Sequence, residues 1–374
     1  MKKALLITMQ YPPANGGVEQ YLHNISSLMP KEKWVVLAPQ SGHEMPTESG
    51  VYRRNFFSSL MWPRWLPLVW AAYRIIKKER IDYLIAGQLL PVGTAVHMLG
   101  TFLKIPYSVF TYGLDVMNAA KHGRKKKIAE TILRQAHSVF TISDFTKNEL
   151  ARLSVSPERI VKIRPLLDSN FFRHVDDEKK EALRKKMNLG TSRILLTVSR
   201  LVERKGHRFV LLALQKLIKE FPEIHYIIAG DGPERPNLEE YVLREKLGEH
   251  VTFTGKISED EKRLLYSVCD IFVMTPISDA HDVEGFGMVY LEAQAYGKPV
   301  IGTSVGGVEE AVGGYGFIVE PGRAPEEICS CVRQIFADPV RAEVLGKKAQ
   351  ERIRSMNWDS ELIPLYRLIE REHV

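Results

Sequence analysis

Two doubly wound α/β domains, each a parallel sheet covered by helices on both faces, are what this sequence predicts. Three observations carry that expectation. The 374 residues suffice for two domains of roughly 100–200 residues each. Short runs of Val, Ile and Leu recur along the chain, separated by stretches with helical periodicity. Those runs are unbroken rather than alternating, the pattern of parallel strands buried on both faces.

The elements follow in order. In the first half the apolar runs are Ala4–Met9, Trp34–Pro39, Tyr83–Gly87, Tyr107–Tyr112, Ser138–Ile142 and Ile160–Ile163. In the second they are Ile194–Ser199, His225–Ala229, Val251–Thr254, Ile271–Met274, Pro299–Thr303 and Phe317–Val319. Six strands per half, alternating with helices, describe a doubly wound sheet. A boundary is expected near Asp168–Val175, where the charged amphipathic helix Asp176–Asn188 opens the second half. The expected division is residues 1–168, residues 169–356 and a helical C-terminal segment, 357–374, with the N-terminal domain as its candidate docking surface. Ligands belong at the carboxyl ends of the strands, in a cleft between the two domains.

Composition narrows the class. Hydrophobic residues make up 45% and charged residues 26%, which excludes disordered and low-complexity chains. Cys269, Cys329 and Cys331 are too few for a disulfide framework, and no second cysteine or histidine pair completes a metal site with Cys329-x-Cys331. They read as small buried apolar residues of a protein in a reducing, cytoplasmic setting. The run ahead of Gln10-Tyr11-Pro12-Pro13 is too short for a secretion signal. The apolar stretch Leu60–Ile76 is broken by Pro63, Arg64, Pro67 and Arg74, short of the ~20 apolar residues that span a bilayer.

Charge is unevenly placed. Residues 1–168 hold 23 lysines and arginines against 12 aspartates and glutamates, while the remainder holds 29 against 33, for a net +7. An anionic partner is therefore expected for the N-terminal half only.

The strand-end loops carry the chemistry. No Gly-x-Gly-x-x-Gly turn of a nicotinamide site follows the first strand; Gly16-Gly17-Val18-Glu19 stands there, opening a helix whose amides could approach an anion. The first strand of the second half leads into Ser199-Arg200-Leu201-Val202-Glu203-Arg204-Lys205-Gly206. A rigid guanidinium fork beside a mobile ammonium suits a diphosphate, although a solvated loop explains the same residues. Glu284-Gly285-Phe286-Gly287-Met288-Val289 opens a further helix on which Glu292 follows, and its amides and carboxylates suit phosphate and sugar hydroxyls respectively. Glu292 could instead be a surface residue of an amphipathic helix. The stretch from Gly302 to Glu310, with Gly306-Gly307, could approach a base or a phosphate, or only turn the chain.

Taken in order, Gly16-Gly17-Val18-Glu19, Ser199-Arg200-Leu201 with Lys205-Gly206, Glu284-x7-Glu292 and Gly306-Gly307-Val308-Glu309 resemble the group 1 glycosyltransferases, family 4 in the sequence-based classification. The resemblance implies two facing Rossmann-like domains, the GT-B arrangement. It implies a retaining transferase that moves a sugar from a nucleotide sugar to an acceptor hydroxyl, with no metal or other cofactor. By the family pattern Arg200 and Lys205 hold the diphosphate, Glu292 the ribose and Glu284 the donor sugar. The amides of Gly285, Phe286, Gly287, Met288 and Val289 line the donor, and Gly16 and Gly17 close on the diphosphate. Asp115 matches the aspartate of a His-Gly-x-Asp motif, but Thr111-Tyr112-Gly113-Leu114-Asp115 puts Tyr112 where the family carries histidine. A phenol can hydrogen-bond the donor sugar but cannot become a cation near neutral pH. The segment Asp282–Gly287 is most similar to members that use GDP-mannose; UDP-glucose and UDP-N-acetylglucosamine are the alternative donors.

The implied acceptor is a glycan or a lipid-linked molecule. Trp62, Trp65 and Trp70 lie among Arg53-Arg54, Lys77-Lys78 and Arg124–Lys127, a pairing that suits peripheral binding to an anionic membrane surface. A tryptophan-rich core helix with a solvated basic rim accounts for the same residues. A basic nucleic-acid-binding protein, and a nucleotide-sugar epimerase or hydrolase of similar fold, are the rival readings. No helix-turn-helix, zinc-finger or aromatic RNA-binding signature supports the former, so no nucleic-acid partner is expected.

Overall fold

In the computed structural model, which describes residues 2–14, 16–40, 48–121, 123–278 and 282–370, the chain forms two compact units. The first comprises Met1–Pro165 with Asn357–Val374, and the second Leu166–Met356. Residues 371–374 of the expected C-terminal segment lie outside the described residues.

The first unit is a sheet of seven parallel strands: β1 (Ala4–Ile7), β2 (Trp34–Pro39), β3 (Val51–Arg54), β4 (Tyr83–Ala86), β5 (Tyr107–Thr111), β6 (Ser138–Thr141) and β7 (Ile160–Lys162). Their order is β3-β2-β1-β4-β5-β6-β7, so the winding reverses between β1 and β4. Leu5, Ile7, Leu37, Leu84, Val109 and Val139 are fully buried beneath the flanking helices. One strand, β3, was not expected. It sits at the sheet edge with Val51, Tyr52 and Arg53 only partly covered, so it needs no apolar run to be stable there. Its arginines also discourage further strand addition.

The second unit has six parallel strands, β8 (Arg193–Val198), β9 (Ile224–Ala229), β10 (Val251–Gly255), β11 (Ile271–Val273), β12 (Val300–Thr303) and β13 (Phe317–Val319). They are ordered β10-β9-β8-β11-β12-β13, with the reversal between β8 and β11. Each unit is thus a Rossmann-like α/β fold. Cys269, Cys329 and Cys331 are all buried with free thiols.

The helix Trp358–Glu370 belongs to the first unit. It buries Leu362, Leu365 and Ile369, and its Glu361 accepts from the backbone N–H of Arg164 at 3.0 Å and from the Arg164 guanidinium. The Lys2 N–H donates to the Ile369 carbonyl at 2.7 Å.

The tryptophan-rich segment divides its roles. Helix Leu66–Glu79 buries Leu68, Ala72, Ile75 and Ile76, and Trp65 packs partly against the core. Trp70, Arg74, Lys77 and Lys78 recur at helical spacing on the exposed side. Ahead of that helix, the Ser58 N–H donates to the Arg64 carbonyl at 2.9 Å and closes a loop that holds Leu60 and Trp62, 95% and 89% exposed, in solvent.

Candidate active site

Open α/β sheets bind ligands beyond the carboxyl ends of the strands where the winding reverses. In the second unit that point lies between β8 and β11, and three loops meet there. The loop after β8 makes one tight turn, Glu203–Lys205, ended by Gly206 at φ +72°. A Cβ on Gly206 would lie 2.8 Å from the Thr275 carbonyl carbon, so only glycine lets this loop rest on the loop after β11. The Ile277 N–H donates to the Arg204 carbonyl at 2.8 Å and pins the two together.

This packing brings cations and carboxylates into register. The Arg204 guanidinium lies 2.7 Å from the Asp282 carboxylate and donates to Glu284 at 2.9 Å; the Lys205 ammonium also bonds Glu284. Burial alone would raise the Glu284 carboxyl, but Lys205 and Arg204 outweigh it and hold it below the usual carboxylate range. From β12 comes the third loop. The Gly307 N–H donates to the Glu284 carbonyl at 2.9 Å, and a Cβ on Gly306, at φ +61°, would stand 3.0 Å from the Glu284 carbonyl carbon. The glycine pair therefore serves backbone packing against the Glu284–Gly285 segment.

Gly287, at φ +94°, caps helix Met288–Ala295, with Gly285 and the buried Phe286 just ahead of it and Val289 in its first turn. Glu292 on this helix is not a surface residue: it is 6% exposed. Lys262 donates to it at 2.9 Å and the Tyr266 hydroxyl at 2.8 Å. Burial would lower the Lys262 ammonium, but Glu292 and Glu259 raise it above the ordinary range. A carboxylate has about four acceptor sites, so two remain for other donors.

Arg200 stands apart from this cluster. It is exposed, and among the described residues no hydrogen bond or ion pair engages its guanidinium. Sequence reasoning gave individual roles to Arg200 and Lys205 but none to Arg204, Asp282, Lys262 or Tyr266. The i,i+4 spacing of Lys262 and Tyr266 on one helix face was the available signal.

His207 was also missed. It is 2% exposed at the start of helix His207–Leu217, with Nε2 3.0 Å from the Ser199 hydroxyl. Burial first, then Lys205, push its pKa down to about 3 from an ordinary 6.5. The folded state therefore holds the imidazole neutral, and the unfolded chain binds the extra proton between pH 6.5 and about 3. Stability is full above pH 6.5 and falls by up to about 1.4 kcal/mol per pH unit below it. Urea unfolding at pH 7, 6 and 5 should show wild type losing stability faster than His207→Gln; parallel curves would mean that His207 does not titrate this way.

The other expected residues lie in the first unit. Gly16 precedes helix Gly17–Leu28 in an extended conformation, with the Glu19 side chain folded back against it. The Tyr112 hydroxyl, expected to face a sugar, donates to the Gly87 carbonyl at 2.8 Å. Its proton is committed, and only its lone pairs are left for a ligand. Asp115 accepts from the N–H groups of Tyr112 and Val116 at 2.9 and 3.0 Å. That carboxylate fastens the loop at the end of β5 to the helix that follows; burial raises its pKa, and the backbone donors partly offset the rise. Among the described residues no group of three or more His, Cys, Asp or Glu could hold a metal ion, and no helix is long and apolar enough to cross a membrane.

Comparison with known proteins supplies the family. The model for glycosyl transferases group 1 matches residues 179–352, and that for glycosyltransferase family 4 matches residues 15–171. The chain belongs to the group 1 glycosyltransferases. This glycosyltransferase is 29% identical to the GDP-mannose-dependent alpha-(1-6)-phosphatidylinositol monomannoside mannosyltransferase of Mycolicibacterium smegmatis over 362 residues, 91% of each chain. It is 28% identical to a GDP-mannose-dependent mannosyltransferase of monoacylated phosphatidylinositol monomannoside from Corynebacterium glutamicum, covering 97% of this chain and 96% of that one. HepE of Anabaena, crystallised with UDP, shares the glycosyltransferase's GT-B fold with a TM-score of 0.82 at 20% identity, covering 98% of this chain and 99% of that one.

Proposed function

We propose that this glycosyltransferase moves mannose from GDP-mannose, with retention of configuration, to a hydroxyl of a glycan or lipid-linked acceptor. The observation that carries the site is the convergence of Arg204, Lys205 and Glu284 where the second sheet reverses. The donor choice is supported by the full-length likeness to GDP-mannose-dependent relatives.

In this reading Arg200 and Lys205 hold the diphosphate. Lys205, on a flexible stem, leaves Glu284 for the phosphate while the forked Arg204 stays on the carboxylate. Glu284 then accepts from hydroxyls of the donor sugar, and Glu292 from those of the ribose. The amides from Gly285 to Val289 face the donor. The bond from the anomeric carbon to the phosphate oxygen breaks as the acceptor oxygen attacks. The acceptor proton passes to the leaving phosphate on the same face. Charge growing on that phosphate is met by Arg200, Lys205 and the helix amides, without a metal.

A melting-temperature series with GDP, UDP, ADP and their sugars tests this. GDP and GDP-mannose should raise the transition by the equivalent of about 2.7 kcal/mol at a hundredfold excess over Kd, unchanged by EDTA. A shift with UDP alone would reassign the donor, and no shift with any nucleotide would overturn the reading. Turnover without an acceptor would favour the epimerase or hydrolase alternative.

Peripheral attachment to the inner face of the cytoplasmic membrane belongs to the same reading. Residues 53–78 contain six arginines and lysines and no acidic residue, and Leu60, Trp62 and Trp70 are 95%, 89% and 64% exposed. Aromatic rings at headgroup level with cations on anionic lipid is the arrangement such a surface offers. Co-sedimentation with vesicles of phosphatidylglycerol should fall at least fivefold in Trp62→Ser/Trp70→Ser. Equal binding by wild type and variant would remove this surface from the proposal.

A further inference from the structure

Away from the strand ends, the second unit has a cavity of about 170 Å³. Segment 171–175, Gln350 and Arg354 of helix Pro339–Ser355, and Tyr296 are among its lining residues. Arg173, His174 and Arg354 line it without a single carboxylate among the lining residues. Among the described residues, neither arginine has an ion pair or side-chain hydrogen bond. Lys180, also on the rim, is answered by Asp177 at 2.8 Å. Two unanswered guanidinium groups around one concavity make a positive field with forked donors, the geometry that recognises phosphate. A cavity of about 170 Å³ has room for a phosphate and a few carbons, which would lie on Phe172 and Tyr296.

The same walls touch the groups that hold Glu292. Tyr296 stacks on Tyr266 with ring centroids 6.2 Å apart, and the Lys262 ammonium lies 5.5 Å from the centre of the Phe171 ring. Tyr266 and Lys262 are the two side chains hydrogen-bonded to Glu292. A ligand that fixes Phe171 and Tyr296 therefore fixes the second layer behind that carboxylate.

We propose that this cavity binds a small phosphate-bearing anion and that its occupancy tightens nucleotide binding at Glu292. The coupling rests on the reading of Glu292 as the ribose carboxylate; the binding does not. Ordering that is already complete when the nucleotide arrives lowers the cost of its binding, and the effect is reciprocal.

The test is calorimetric titration of the full chain with inorganic phosphate and with glycerol 3-phosphate, without nucleotide. Saturable binding should weaken at least tenfold in Arg173→Gln/Arg354→Gln, whose exposed positions leave the melting temperature unchanged. Tighter binding of glycerol 3-phosphate would assign the site to an organic phosphate, and equal binding to the free ion. No saturable binding, or equal affinity in the double variant, overturns the site. With glycerol 3-phosphate saturating, GDP should bind at least fivefold more tightly to wild type and unchanged to the double variant; an unchanged GDP affinity in wild type overturns the coupling. A protein that binds phosphate at these arginines but no nucleotide would sink the proposed function and leave the cavity assignment standing.

Discussion

Replacing Glu284 with leucine is expected to abolish sugar transfer and to cost about 3 kcal/mol of stability. The cluster holds two cations, Arg204 and Lys205, against two carboxylates, Asp282 and Glu284. Side-chain exposure is 18% for Arg204 and 13% for Lys205, so removing one carboxylate strands a positive charge with little water to answer it. Breaking a buried pair from one side costs about 3–5 kcal/mol, and the residual exposure argues for the lower end. Glu284→Gln separates the two effects. It keeps the volume and one acceptor oxygen, so most stability should survive while transfer falls at least a hundredfold. Denaturant unfolding beside a transfer assay reads both quantities, and full activity in Glu284→Gln would remove this residue from the chemistry. Because its carboxyl titrates below the usual range, its share of stability is complete above the ordinary carboxylate range. That share is lost as pH falls through the lowered folded value.

Gly306→Ala should be nearly as damaging without touching a charge. At φ +61° the new methyl would be strained in any surroundings, and here it would stand 2.9 Å from a Val283 methyl and 3.0 Å from the Glu284 carbonyl carbon. Relief requires the Glu284 backbone to retreat, which misplaces its carboxylate relative to Arg204 and Lys205. An ångström of misplacement at a reacting centre costs on the order of a hundredfold in rate. Gly322→Ala, where a Cβ meets nothing within 4 Å, is the control and should leave transfer unchanged. A Gly306→Ala protein as active as wild type would mean that the loop after β12 can yield without moving Glu284.

How much was legible in the sequence follows from which interactions are local. Strands buried on both faces announce themselves as unbroken apolar runs, and so twelve of the thirteen could be read directly. The thirteenth, β3, lies at an edge where Arg53 and Arg54 are tolerated, and nothing in its four residues distinguishes it from a loop. Glycine-rich turns marked where the site would be. They did not say what the glycines were for: Gly306 and Gly307 meet the backbone of Glu284 and Gly285, 22 residues earlier in the chain. Partners were the least visible. Arg204 finds Glu284 80 residues away, and Glu292 finds Lys262 30 residues away, because strand order rather than sequence separation makes them neighbours. Tyr112 shows the converse. Its place in a motif suggested an outward task, yet its proton answers the Gly87 carbonyl on the neighbouring strand end.

The helix Trp358–Glu370 has a bearing on how the protein is made. Domains emerging from the ribosome generally fold as units, in the order in which they are completed. Here the second unit, Leu166–Met356, is continuous and complete before residue 357 is synthesised. The first unit is not: the seam that Leu362, Leu365 and Ile369 will cover stays uncovered until helix Trp358–Glu370 appears. The half begun first is finished last. During translation it waits with apolar surface open, and that interval is when a nascent-chain chaperone has most to hold.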